Sequence, residues 1–194
     1  MRVGCHTAVE AVYAMPWQCH SLRMEERFYR LGHETDQGWC EHSHPAVYES
    51  PSENGSQRIV TTVPGSNSDV VLRLAECLVE PLYLLFVLHT PRGAGEAGRY
   101  QSPELTAAEV RQVFEDFEPL LTGDGRFDLW IYSPEQKATL AWDRHNLLYA
   151  YGPLEAFVQR LDAMGFSEGV SRVPPHMHFY REELDDLVSH LLAY

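Results

Sequence analysis

The chain has 194 residues, 44% of them hydrophobic and 22% charged, which is typical of one folded domain with its own hydrophobic core. Its formal net charge of −13 excludes nucleic acid and anionic membrane surfaces as expected partners, because phosphate-rich surfaces are bound through clustered lysine and arginine. The longest apolar run, at residues 81–88, is far shorter than the roughly 20 residues of a transmembrane helix, so no membrane span is expected.

The basic residues indicate where the protein comes from. Lys137 is the only lysine among 15 basic residues, a bias that accompanies GC-rich genomes and indicates a bacterial source. At the N-terminus Arg2 is followed by Cys5, His6 and Glu10, which is unlike the apolar stretch of a secretory signal. We therefore expect a cytoplasmic protein whose thiols are reduced.

Residues 1–56 show no sustained helical or strand period, and we expect an irregular, partly disordered N-terminal region there. Met24 begins a more regular stretch, so residues 1–23 are a candidate extension upstream of the native start. Residues 50–56 have the composition of a turn or linker. The predicted organisation is an irregular region at 1–56 followed by an α+β domain at 57–194.

The first part of that domain has the order strand, helix, strand. Residues 58–63 are rich in β-branched side chains and predict a strand, and Ser68 is suited to cap the helix that follows. Residues 82–89 are almost continuously apolar, as expected of a central strand covered on both faces. This order predicts a crossover unit in which the two strands lie parallel.

The second part begins with a helix and continues with short strands. Thr106 and Glu109 have the spacing of a capping box at a helix N-terminus. Residues 127–132, 139–142 and 147–151 are aromatic and β-branched stretches separated by turn-forming residues, which predicts a three-stranded antiparallel meander.

Two helices are expected after the meander. Pro153 suits the first turn of one, which ends at Gly165, and the other has leucines on one face from Leu184 onwards. The predicted fold class is therefore α+β: a single mixed β-sheet of about five strands with helices packed on it, ending in the antiparallel meander and two helices.

One pair of histidines stands out as a candidate metal site. His176 and His178 flank Met177, so in an extended segment both imidazoles point to the same side and are able to share a divalent metal ion. The local sequence lacks a third ligand, which the fold has to supply, with His145 as the candidate and His89 or an acidic residue as alternatives. Paired histidines on a strand are nevertheless more often polar structural residues than ligands.

Two other patterns are weaker. Residues 93–98 match GxGxxG, but no helix begins within the motif, so a surface loop is favoured over a nucleotide site. A zinc site is a further alternative in the N-terminal region, although its residues do not have CxxC spacing. The residues concerned are Cys5, His6, Cys19, His20, Cys40, His42 and His44.

No nucleophile motif such as GxSxG or SxxK is present, and Asp143 with His145 is explained by turn chemistry. We favour a core position over a recognition surface for the aromatic side chains of the meander. These are Trp130, Tyr132, Trp142, Tyr149 and Tyr151.

The acidic charge and the lack of a catalytic motif lead us to expect a non-enzymatic protein-interaction module. Such a module resembles small acidic immunity or antitoxin proteins, binds a protein with a basic surface and needs no cofactor. The alternative is a metal-dependent enzyme or metal-binding protein that uses the His-x-His site with a divalent metal. The oligomeric state is not predicted.

Overall fold

A computed structural model describes residues 29–53, 56–93 and 95–194, and the proposed extension at residues 1–23 lies outside them. The expected mixture of helices and strands is confirmed. The strands are β1 (Leu31–Thr35), β2 (Gly38–Glu41), β3 (Val47–Glu49), β4 (Ser52–Glu53), β5 (Ser56–Gln57), β6 (Ile59–Thr62), β7 (Tyr83–Leu88), β8 (Gly98–Gln101), β9 (Phe127–Ser133), β10 (Ala138–Trp142), β11 (Leu147–Tyr151), β12 (Ser167–Glu168) and β13 (His176–His178).

In the described part of the chain, five α-helices accompany these strands, with single 3-10 turns at Pro64–Ser66 and Glu182–Leu184. The α-helices are α1 (Asp69–Ala75), α2 (Ala107–Asp116), α3 (Glu118–Gly123), α4 (Leu154–Ala163) and α5 (Asp185–Leu192). The expected capping box begins α2: the Thr106 hydroxyl accepts from the Glu109 amide, and the Glu109 carboxylate accepts from the Thr106 amide. None of the helices in the described ranges is long and apolar enough to cross a membrane.

The large sheet has eight strands in the order β12-β3-β6-β11-β10-β9-β7-β8, where about five were expected. The five expected strands are β6, β7, β9, β10 and β11, and they form its uninterrupted centre. The three additional strands lie at the two edges and contain two to four residues each. Strands this short carry no alternating pattern long enough to be recognised in the sequence.

The predicted crossover unit is present, with its two strands parallel in the same sheet. The strands β6 and β7 run in the same direction but are not neighbours, because β11, β10 and β9 lie between them. Each of the four pairings from β6 to β7 is antiparallel, which makes the two outer strands parallel to each other. The meander, which was expected and is present, therefore inserts between the two strands of the crossover unit.

Side-chain alternation in β9 separates the two faces of the large sheet. Phe127, Leu129 and Ile131 point into the hydrophobic core, while Trp130 and Tyr132 point to the opposite face. The core is closed by α1 and α4, which contact each other and the central strands. Of the five aromatic residues expected in the core, Trp142 is completely buried, but Tyr132 is 41% exposed and the other three are only partly buried.

A second, small sheet has the order β13-β1-β2 and is formed by residues for which no regular structure was expected. Within residues 1–56, the strands β1, β2 and β3 correct the expectation of an irregular region for the described part. The pairing of β1 with β13 joins segments at opposite ends of the chain, with His33 opposite His176 and Leu31 opposite His178. Pairing between such distant segments leaves no local signal in either of them.

Arg30 fixes the small sheet to the large one. Its side chain is fully buried, lies about equally close to the rings of Phe127 and Trp142 (4.5 and 4.4 Å), and donates to the carbonyl oxygens of Asp124, Phe127 and Asp143 at 2.9 Å each. Burial lowers the pKa of Arg30 to about 10, although nearby carboxylates, Asp143 foremost, oppose the shift. The guanidinium therefore stays charged and satisfied at neutral pH.

A second buried arginine holds the C-terminal segment next to β9. Arg126 and Asp124 are both fully buried and form a bidentate ion pair at 2.7 and 2.8 Å. Asp124 also accepts the Arg181 amide at 2.9 Å, and Arg126 also contacts Asp185 at the start of α5. This network determines where the chain leaves β13, and so positions His178.

Candidate metal centre

The three histidines of the candidate metal site come together in the structure. His176 and His178 lie on β13, and His145 lies in the turn between β10 and β11. Each pair of rings has a centroid separation of 5.0 Å. One ring nitrogen from each residue can be chosen so that all three lie within 4.8 Å of one another. Two distant segments therefore supply three donors to one point, as a metal site requires.

Asp143 orients the ring of His145. Its Oδ1 accepts the backbone amides of His145 and Leu147 at 2.9 Å each, which fixes the turn. Its Oδ2 lies 3.1 Å from Nδ1 of His145. An ionised carboxylate only accepts, so Nδ1 carries the proton and Nε2 carries the lone pair. Metal-binding histidines commonly donate their other ring N–H to a carboxylate in this way, which fixes the tautomer and the ring orientation.

A backbone carbonyl orients the ring of His176 in the same manner. Nδ1 of His176 lies 2.9 Å from the carbonyl oxygen of Pro174. Because a carbonyl oxygen only accepts, this nitrogen is the protonated one and Nε2 is left as the donor atom. Two of the three histidines therefore have their tautomer fixed by a neighbouring acceptor before any ion binds.

His178 is the most confined of the three. Its Nδ1 is buried and, within the described part of the chain, meets no hydrogen-bond partner. Burial, followed by the neighbouring imidazoles of His145 and His176 and the charges of Arg144 and Arg30, lowers the pKa of His178 to about 4. The ring is therefore neutral at pH 7. A buried polar nitrogen without a hydrogen-bond partner costs free energy in the folded protein.

This donor set fits a divalent transition metal. Imidazole nitrogen suits zinc, copper, nickel and iron, whereas magnesium and calcium prefer oxygen ligands. Nitrogens at 2.0–2.1 Å from a tetrahedral zinc ion lie about 3.3 Å apart, a spacing that small rotations of three partly buried rings can reach. Three protein ligands also leave one position of a tetrahedral ion for water or substrate.

Three more histidines lie beside this site. The rings of His33 and His42 are 5.2 Å apart, and those of His42 and His44 are 4.6 Å apart. No local sequence pattern marks His33. The signal that was present is the spacing of His42 and His44, which repeats the His-x-His pattern of His176 and His178.

His44 connects the two groups of histidines. It is almost completely buried, its Nε2 donates to the carbonyl oxygen of His145 at 2.8 Å, and its Nδ1 lies 2.9 Å from the hydroxyl of Ser171. Of the other residues considered for an N-terminal zinc site, Cys40 has its sulfur 3.7 Å from the hydroxyl of Thr35. Cys5, His6, Cys19 and His20 lie outside the described residues.

His89, the alternative third ligand, takes another role. Its Nε2 lies 2.8 Å from Oδ2 of Asp128, and Oδ1 of the same carboxylate accepts the Arg144 amide at 2.9 Å. The His89–Asp128 pair therefore holds the backbone of Arg144, the residue before His145. His89 does not belong to the three-histidine group.

The GxGxxG segment belongs to a hairpin. It connects β7 to the antiparallel strand β8, and β8 begins at Gly98. The phosphate-binding form of this motif needs a helix N-terminus at that point, and here a strand follows instead. The geometry agrees with the surface loop favoured from the sequence.

No protein-family model, no curated protein and no solved structure matches this chain.

Proposed function

We propose that the protein is a metalloprotein that binds one divalent transition metal ion, zinc foremost, through His145, His176 and His178. The observation that carries the proposal is the convergence of three imidazoles from two distant segments, with ring nitrogens within 4.8 Å of one another. Bringing partly buried imidazoles together removes water from them and costs free energy. An ion bound by all three offsets that cost.

The support around the rings favours this function over a purely structural role. Asp143 and the Pro174 carbonyl each take the Nδ1 proton of one histidine, which presents both Nε2 atoms as donors. Structural polar clusters satisfy their members among themselves, whereas Nδ1 of His178 has no partner among the described residues.

The number of ligands favours a centre that does chemistry. Structural zinc sites are usually closed by four protein ligands, while catalytic sites keep three and leave a position for water or substrate. A zinc-bound water is far more acidic than bulk water and supplies a nucleophile at neutral pH. The reaction class that follows is metal-assisted attack of water on an electrophilic centre.

Metal analysis of protein purified without a histidine tag tests this proposal. We expect at least one zinc, nickel, copper or iron ion per chain after dialysis against metal-free buffer. In His176→Ala and His178→Ala the tightly held ion is expected to be lost. His190→Ala is the matched control, because His190 lies exposed on α5 and makes no part of the group. The proposal would be contradicted if wild type still contained no metal after reconstitution with each of these ions.

The interaction module predicted from the sequence stays a second candidate. Tyr132 is 41% exposed and lies with the partly buried Trp130 on the sheet face opposite the core, where aromatic side chains suit a protein partner. The net charge of −13 favours a basic one. Capture experiments at low and high salt test it: a basic partner retained by wild type and lost by Tyr132→Ala is the expected result, and equal capture by both proteins would contradict it.

A further inference from the structure

We infer that the protein has a second transition-metal site, formed by His42 and His44 with His33 beside them. The inference extends the proposed function from one ion to two neighbouring ions and rests on that function for the first of them. The ligands of the second ion are separate side chains, so the two sites can be tested separately.

The register of the small sheet places this second group beside the first. The amide of His42 donates to the carbonyl of Leu31, and Leu31 lies opposite His178 on the other neighbouring strand. His33 in turn lies opposite His176. Directly opposed residues in antiparallel strands point to the same face, so His33 and His42 share the face of the two β13 histidines.

The tautomer of His44 gives the site its first donor. Because Nε2 of His44 donates to the carbonyl of His145, Nδ1 of His44 carries a lone pair. This Nδ1 atom lies 3.4 Å from Nε2 of His42. When no ion is bound, this separation is that of a long hydrogen bond from Nε2 of His42, outside the usual range of 2.7–3.2 Å. It agrees with the roughly 3.3 Å between two nitrogens bound to one tetrahedral zinc ion.

The ring of His42 contacts the imidazoles on both of its sides. Its centroid is 4.6 Å from that of His44, and the two rings are nearly perpendicular. His33 lies beside this pair, and its Nδ1 is buried and meets no hydrogen-bond partner in the described ranges. Its ring centroid is 5.2 Å from that of His42, so His33 has to change its side-chain rotamer before it can bind the same ion.

One group competes with the ion for His44. The hydroxyl of Ser171 lies 2.9 Å from Nδ1 and donates to it when no ion is bound. The hydroxyl is free to rotate away from Nδ1, so an ion at this position displaces one neutral hydrogen bond and breaks no ion pair. The site is therefore expected to bind more weakly than the first, whose rings are already oriented.

The test is a zinc titration of the tag-free, chelator-stripped full chain, followed by calorimetry and by competition with a chromogenic chelator. Wild type is expected to bind two ions, the second at least tenfold more weakly. His42→Ala is expected to bind one ion with the affinity of the first site unchanged within about twofold, and His178→Ala to keep one weaker ion. His190→Ala, the exposed control, should retain both.

Each other result has a distinct meaning. One ion in wild type and one in His42→Ala, with equal affinity, overturns the second site and leaves the proposed function standing. One ion in wild type that His42→Ala loses places His42 in a single site and also overturns the inference. No ion in either protein overturns both. Should His42→Ala fail to fold by circular dichroism, His42→Gln, which keeps a polar side chain of similar length, takes its place.

Discussion

The large sheet and the small sheet are held in place by different interactions. The centre of the large sheet is fixed by apolar burial: Phe157, Leu140 and Trp142 are completely buried between the strands and the helices. The small sheet contributes few apolar side chains and is fixed by buried hydrogen bonds, above all those of Arg30. The first region therefore provides the stability of the fold, and the second provides the precision with which histidines meet. Substitutions in the two regions should separate these contributions.

The largest effect is expected in the apolar region. Phe157→Ala removes a fully buried ring from α4 and should lower the free energy of unfolding by about 3–5 kcal/mol, measured by chemical denaturation. The zinc affinity of the molecules that remain folded should not change. Glu155→Ala, at an exposed position of the same helix, is the control and should stay within about 0.5 kcal/mol of wild type. A drop in zinc affinity for Phe157→Ala would remove the distinction between the regions.

Arg30→Met should affect both properties. Three carbonyl oxygens lose their donor, which is expected to cost about 2–4 kcal/mol of unfolding free energy, and the small sheet loses its attachment. Zinc affinity should fall by at least tenfold, measured by competition with a chelator. Arg30→Lys keeps a positive charge but not the planar guanidinium group. Its unfolding free energy and zinc affinity should lie between those of wild type and Arg30→Met. A Met variant with wild-type zinc affinity would show that Arg30 does not position the site.

Gly125→Ala tests how tightly the first site is packed. A Cβ at this position would lie 2.9 Å from Cβ of His178 and 3.0 Å from the carbonyl oxygen of Arg30. We expect a cost of about 1–3 kcal/mol and a weaker first zinc site, because His178 has to move. Gly98→Ala on β8 is the matched control, since an added Cβ there meets only ordinary contacts at 3.8 and 3.9 Å. Equal behaviour of the two variants would contradict this packing.

Asp143→Asn should have the smallest effect on stability and a selective effect on the metal. The amide oxygen can still accept the backbone amides of the turn, but its NH₂ group then faces Nδ1 of His145 and disfavours the tautomer that presents Nε2. Zinc affinity is expected to fall by roughly 10–100-fold. Thermal denaturation in chelator should show a protein nearly as stable as wild type, and an unchanged zinc affinity would show that Asp143 serves the turn alone.

The sequence predicted the two regions to different extents, for a physical reason. The strands of the meander are aromatic and aliphatic stretches of five to seven residues, and more buried side chains alternate with less buried ones along them, as β9 shows. The strands of the small sheet have only three to five residues each, and β1 and β13 contain histidines. Their sequences therefore show neither an apolar run nor a period.

The sequence alone could indicate the metal ligands only where they are close together in the chain. His176 and His178 reveal themselves by their spacing, whereas His145 was one of several candidates until the fold brought it to β13. His33 and Arg30 carry no local signal at all, because their roles depend on pairing with segments more than ninety residues away.

Anomalous X-ray diffraction from crystals grown with zinc tests the central claim most directly. We expect a peak at the zinc edge about 2.0–2.1 Å from one ring nitrogen each of His145, His176 and His178. A weaker peak between His42 and His44 would report the second ion. Crystals that contain stoichiometric zinc bound elsewhere, with three unliganded imidazoles at this position, would contradict the account.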